Sequence, residues 1–192
     1  MLELLTRSKI RRKLILLFIY NRKKEYFLNE IARNVGTSAG TAQRELNKLL
    51  KGDLIVLAKR GNMNMYKLND KYSLLSEVES IIRKTIGVEV ELKEKLKSIP
   101  GISFAVLFGS YVKGGFKSDS DIDLFVIGNM NEEKVYHAVQ DAEKKIGREI
   151  NFHLASKKEF AENSKGRTFY KEIISGHIMI RGDENEFKKL VN

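Results

Sequence analysis

The stretch Val106–Gly128, V-L-F-G-S-Y-V-K-G-G-F-K-S-D-S-D-I-D-L-F-V-I-G, decides how the second half of this chain is read. Two apolar runs bracket a polar loop, and the second run opens with two acids, Asp121 and Asp123, on either side of Ile122. Ile102–Phe108 and Asp121–Ile127 have the β-branched and aromatic content of strands. Alternation along a strand puts Asp121 and Asp123 on one face, roughly 7 Å apart by the rise per residue, with Ile122 and Leu124 on the other. Two carboxylates that close repel, so one pKa is forced upward unless a cation compensates them. Magnesium suits the pair, because it takes one or two protein carboxylates and completes its shell from phosphate oxygens and water. Manganese shares that preference for oxygen and can take its place. Gly109-Ser110, where the first run ends, supplies a backbone amide and a hydroxyl where phosphate would lie, and glycine allows close approach. A nucleoside triphosphate with a divalent cation is the ligand these residues point to.

The residues around the stretch extend the pattern. Tyr111–Gly114 reads as a short helix or turn, and Lys117–Ser120 as a loop. Gly-Ser, a spacer, then Ser-Asp-x-Asp-Leu resembles the signature of the minimal nucleotidyltransferases, in the superfamily that includes DNA polymerase beta. The resemblance covers roughly residues 95–185. It implies a small mixed sheet flanked by helices, with Gly109, Ser110 and Ser120 on the nucleotide and Asp121 and Asp123 on metal. It also implies one more carboxylate on a later strand that follows a helix. That helix is Glu132–Ile146, and the strand after it reads G-R-E-I-N-F-H-L, Gly147–Leu154, so the third position falls on Asn151. In two-metal phosphoryl transfer the third carboxylate helps hold the second metal and activates the attacking hydroxyl. Asparagine offers a carbonyl oxygen but carries no charge and cannot act as a base. Glu149 and His153 lie on the same strand face, and Glu149 substitutes only if the register slips. Lys113 reads as a solvated lysine, His137 and His177 as surface or boundary residues, and Asp183 as a turn residue. Thr168–Ile174 reads as a helix and His177–Asp183 as a closing strand.

The chain has 192 residues, no cysteine and one proline, Pro100. Zero cysteines exclude disulfides and thiolate metal sites and suit a reducing cytoplasm. The longest apolar run, Leu14–Tyr20, is too short to span a bilayer. Basic residues precede it as in a signal peptide, but Asn21-Arg22-Lys23-Lys24 stands where a cleavage site of small residues belongs. The net charge of +10 is unevenly placed: residues 1–71 hold 16 Lys/Arg against 6 Asp/Glu, residues 72–100 hold 5 and 5, and residues 101–192 hold 14 and 14. A neutral half joined to a strongly basic one suggests that the basic end binds a polyanion.

That basic end has its own organisation. Residues 8–20 carry Ile10, Leu14, Leu17 and Phe18 at helical spacing. Phe27–Ala32 opens a second helix that ends near Gly36, and Thr37 or Ser38 caps a third, with Ala42, Leu46, Leu49 and Leu50 on its apolar face. Leu54–Lys59 and Asn64–Leu68, joined through Gly61-Asn62, read as a hairpin. The order resembles a winged helix-turn-helix over residues 8–68. Such a fold places its third helix in the major groove of double-stranded DNA. The outward residues of that helix are Ser38, Thr41, Gln43, Arg44 and Lys48. Gln43 can pair with adenine, and Arg44 with guanine or phosphate. Lys59, Arg60, Asn62 and Asn64 on the wing reach backbone or minor groove.

The expectation is an α+β chain in three parts. Residues 1–71 form a winged helix-turn-helix, 72–94 a helical linker that can support a homodimer, and 95–192 a mixed-sheet nucleotidyltransferase-like domain. Two functions fit. One is a DNA-binding regulator of the antitoxin kind that also transfers a nucleoside monophosphate to a hydroxyl of a protein partner or toxin. The other is a regulator that senses nucleotide or a partner without turnover, because of Asn151. A nucleic-acid end modifier is disfavoured by the neutral charge of the second half.

Overall fold

The computed structural model describes residues 6–61, 63–114 and 121–191. Asn62 and Ser120, both named above as contacts, lie outside the described residues. The chain divides into two compact units, Met1–Gly87 with Lys145–Gly147, and Val88–Lys144 with Arg148–Asn192. No helix among the described residues is long and apolar enough to cross a membrane.

The first unit begins with α1 (Lys9–Tyr20), started by Ser8, whose hydroxyl accepts from the Arg11 amide. A two-residue strand, β1 (Tyr26–Phe27), leads directly into α2 (Leu28–Val35). Ser38 then caps α3 (Ala39–Lys51), accepting from the Thr41 amide. The hairpin β2 (Ile55–Arg60) and β3 (Met63–Leu68) closes an antiparallel sheet of order β1-β3-β2. Leu14, Phe18, Ile31, Leu46 and Ile55 are fully buried. Burying each such side chain contributes about 1.5–3 kcal/mol, so these few residues fasten three helices to the sheet. β1 escaped the sequence pattern because a two-residue strand has no period to detect. Arg11 pairs with Glu45 at 2.7 Å, and Arg22 with Asp70 at 2.6 Å and Glu79 at 3.0 Å. Burial works to raise the Glu45 carboxyl, but hydrogen bonds from Lys48 and Arg11 outweigh it and hold the group below its usual range. The span expected as a linker holds two helices, α4 (Leu75–Thr85) and α5 (Val88–Lys97), with the division between units at Gly87.

The second unit is built on a four-stranded mixed sheet. Its strands are β4 (Ile102–Phe108), β5 (Ile122–Gly128), β6 (Ile150–Ala155) and β7 (Ile178–Arg181), in the order β6-β5-β4-β7. β5 and β6 run parallel, joined by the crossover helix α7 (Glu132–Ile146); the other pairs are antiparallel. The α+β class with a mixed sheet matches the expectation. One sheet face gathers Phe104, Val106, Phe108, Phe125 and Ile127 with Phe160, Tyr170, Ile173 and Phe187. These last four come from α8 (Lys157–Ser164), α9 (Thr168–Ser175) and α10 (Glu184–Val191). The alternate residues Ala105, Leu107, Leu124 and Val126 are also completely buried, so both faces of the central strands are covered. This explains why β4 and β5 read as continuous apolar runs. One element, α8, was not foreseen; a Ser156/Glu159 capping box starts it, in a stretch too polar to show an apolar stripe. His177 is a boundary residue, as expected, with its side chain 7% exposed and its ring meeting the Ile173 carbonyl and Glu184.

Candidate functional site

β4 ends at Phe108, and the chain turns at once into the short helix α6 (Gly109–Gly114). Gly109 makes the turn with φ +73°, and a side-chain carbon placed there would overlap the carboxylate of Asp123. The antiparallel register sets Phe108 opposite Asp123, which brings the turn and the acid together. Only glycine satisfies both the left-handed backbone and the missing space. Tyr111, fully buried, donates to Glu89 Oε1 at 2.9 Å and fastens α6 to α5. Ser110 lies in the first turn of α6, half-buried.

Across the parallel pair, Asp123 stands opposite Asn151, and Ile122 opposite Ile150. Asp121, exposed and one residue before β5, accepts from Asn151 Nδ2 at 3.2 Å. Asp121, Asp123 and Asn151 are therefore assembled at the same ends of two adjacent strands. Glu149 is not brought in: it precedes β6 with its side chain exposed, and its carbonyl accepts from the Ile122 amide. Burial pushes the Asp123 carboxyl above the usual range; His153 works against that rise, while Asp121 and Glu172 add to it. A cluster of three or more groups able to hold a metal is absent among the described residues. The groups that do converge are two carboxylates, with the Asn151 amide turned through its Nδ2 toward Asp121. The carboxylate pair fits a hard divalent cation whose remaining ligands come from phosphate and water.

An open cleft beside these groups is lined by Asp123, Ile150, Asn151, Phe152 and His153. Lys113 on α6 is solvent-exposed, as expected, and also forms an ion pair with Glu172 on α9. Phe169, also on α9, places its ring 5.3 Å from that of His153. Both contacts join segments far apart in the chain, and no local pattern announces them.

In the first unit, Ser38, Thr41, Arg44 and Lys48 follow one another along α3. The Ser38 hydroxyl donates to Thr41 Oγ1 at 3.0 Å, Arg44 donates to the same oxygen at 3.3 Å, and Lys48 pairs with Glu45 at 2.9 Å. Thr41, Arg44, Asn47, Lys48 and Lys51 line a shallow open groove with Glu45. Gln43 is turned to other work: it accepts from the Tyr66 hydroxyl at 3.0 Å and donates to Asn47 at 2.9 Å. Lys59 and Arg60 are exposed at the end of β2, where Lys59 pairs with Asn64 across the hairpin. Asn47 and Lys51 share the groove because they lie one turn beyond Arg44 and Lys48 respectively.

Comparison with known proteins agrees with the second unit. Residues 89–177 match the family model of the nucleotidyltransferase domain. That span holds Gly109, Ser110, Asp121, Asp123 and Asn151 together. No curated protein sequence matches the chain. Among solved structures, one toxin–antitoxin complex with AMP-PNP shares 17% identity, covering 54% of this chain and 80% of that one, with a TM-score of 0.40. Another, a tri-AMPylated HEPN toxin with its MNT antitoxin from Shewanella oneidensis, shares 15% identity over 54% and 77%, with a TM-score of 0.37. Reduced HlyU from Vibrio cholerae shares 15% identity over 44% and 85%, with a TM-score of 0.36. Likenesses this low bear on neither the site nor its chemistry.

Proposed function

We propose that the second unit binds a nucleoside triphosphate with a divalent cation and transfers its nucleoside monophosphate to a hydroxyl of a partner. The first unit, as a winged helix-turn-helix, binds double-stranded DNA. The observation that carries the nucleotide reading is the meeting of Gly109 and Asp123. A left-handed glycine turn whose missing side chain makes room for the Asp123 carboxylate, and an acid pair, occur at one point, inside the span that matches the nucleotidyltransferase model. Gly109 and Ser110 take the phosphates, and Asp121 and Asp123 hold the cation. When bound, the cation neutralises phosphate charge and orients the triphosphate. In the transfer, the acceptor oxygen bonds to the α-phosphorus, the bond to the β-phosphate oxygen breaks, pyrophosphate leaves, and the acceptor's proton goes to solvent. The groove of α3 and the wing cations Lys59 and Arg60 supply the DNA contacts, with Arg44 reading base or phosphate.

A second reading rests on Asn151. It occupies the place opposite Asp123, its amide donates to Asp121, and it cannot accept a proton from the acceptor. On that reading the unit senses a triphosphate or a partner and the chain is a regulator without turnover. One experiment separates the two: incubate the chain and its cellular partners with α-labelled nucleoside triphosphates and magnesium or manganese. Transfer by the wild type supports the enzyme. Binding without transfer, with transfer appearing in Asn151→Asp, supports the sensor.

A further inference from the structure

The aromatic core of the second unit rises to the surface beside the carboxylate pair. Phe108 and Phe125 are buried, at 4% and 2% exposure. The His153 ring lies close to parallel with Phe125, at 23° and 6.0 Å between centroids. Phe169 meets His153 edge-on at 71°, and its ring is also 5.4 Å from that of Phe108. Unlike the rings beneath them, His153 and Phe169 are exposed. Phe169 is 37% exposed, so its ring is packed against the core on one side and open on the other. The placement along the strand is specific as well. Asn151 stands opposite Asp123, and His153 follows two residues later on the same face, roughly 7 Å farther along β6 by the strand rise. His153 and Asp123 line one cleft. A ribose spans a gap of that kind between an α-phosphate and a base.

We propose that the exposed ring of His153, braced edge-on by Phe169, is a stacking platform for the nucleobase of the triphosphate that the Asp121/Asp123 end holds. The inference rests on the nucleotide reading above and adds the residues that grip the base. A base laid on an aromatic surface gains about 1–3 kcal/mol whichever base it is, because every base has a π-face. The platform therefore separates a nucleotide from bare triphosphate more than one base from another. The other described histidines do not compete for the role: His177 is enclosed by Phe187 and Glu184, and His137 sits on α7 beside Glu133.

The test measures binding of ATP and of inorganic tripolyphosphate, each with magnesium, to the full chain by calorimetry. The proteins are wild type, His153→Ala, Phe169→Ala and His153→Phe, each checked for a cooperative thermal melt. Both alanine variants are expected to weaken ATP about tenfold more than they weaken tripolyphosphate. His153→Phe, which keeps a planar ring, is expected to retain ATP affinity. If an alanine variant does not fold, Phe169→Leu makes the same comparison, since it keeps apolar volume without a ring. ATP affinity untouched by the alanine changes, equal weakening of both ligands, or loss of ATP in His153→Phe would each overturn the platform and leave the triphosphate reading standing. A wild type that binds neither ligand overturns both.

Discussion

Arg44 and Lys48 in the first unit bond to groups three residues away on their own helix, whereas Asp123 in the second is met from several separate segments. Gly109 closes on its carboxylate, Asn151 faces it across the sheet, and His153 and Glu172 act on its charge. The difference is between a surface defined by charge and a site defined by shape. Cations on an exposed helix face keep their use if they move by an ångström, because a polyanion is met through a field. The turn at Gly109 has no such tolerance. It also follows that the excess of +10 sits in the unit whose proposed ligand is a long polyanion, while the proposed triphosphate site lies in a neutral one.

Three substitutions probe that contrast. The largest effect is expected from Asp123→Asn, which should weaken magnesium-dependent ATP binding by at least roughly a hundredfold, beyond what loss of a residue that merely supports a metal ligand causes. The same change should raise the stability of the metal-free chain. The folded pKa of Asp123 lies above its unfolded value, so the stability it lends is full below the usual carboxylate range and is lost as pH rises through the raised value. Asp123→Asn escapes that loss, so its thermal midpoint should exceed that of wild type at neutral pH, with the pH-dependent part of the gain gone near about pH 3. A midpoint lower than wild type at neutral pH would mean that the carboxylate is held by favourable partners after all.

Gly109→Ala should come next. Strain of about 1–2 kcal/mol from the left-handed backbone, added to the overlap with Asp123, should lower the unfolding midpoint and remove ATP binding together. An alanine variant that binds ATP normally would break the shape half of the comparison. The smallest effect belongs to the charge half. Arg44→Ala should weaken duplex DNA binding by about tenfold or more, and wild-type affinity should fall steeply as salt rises. Binding indifferent to salt would remove charge as the basis of recognition in the first unit.

Much of this architecture could be read from the residues, for identifiable reasons. β4 and β5 announce themselves because strands buried on both faces are apolar throughout, and the two acids stand out against that background. The placement of Asn151 comes from the resemblance to the minimal nucleotidyltransferase signature, and the parallel register then sets it opposite Asp123. Local signals did not reach the groups that arrive from α9. Phe169 looks like any residue of an amphipathic helix, and Glu172 like any surface acid, until the fold lays them beside His153 and Lys113. The role of Gln43 was hidden for the same reason, since its partner Tyr66 is 23 residues away on β3. Residue type and spacing show what a strand or helix carries; they do not show which distant side chain will occupy it.

Arg181, near the end of the sheet, sets a practical limit on where this unit can be cut. Its guanidinium donates to the carbonyls of Leu96, Lys97 and Ile99, closing the C-terminal end of α5, and its strand β7 covers the outer edge of β4. A fragment trimmed to residues 89–177 would keep the acids, the glycine turn and Asn151, yet lose both functions at once. It would expose a row of unpaired strand groups and three open carbonyls, a surface made for sticking to its own copies. The working boundary of the unit therefore lies beyond its recognisable signature, at the helix that follows Arg181.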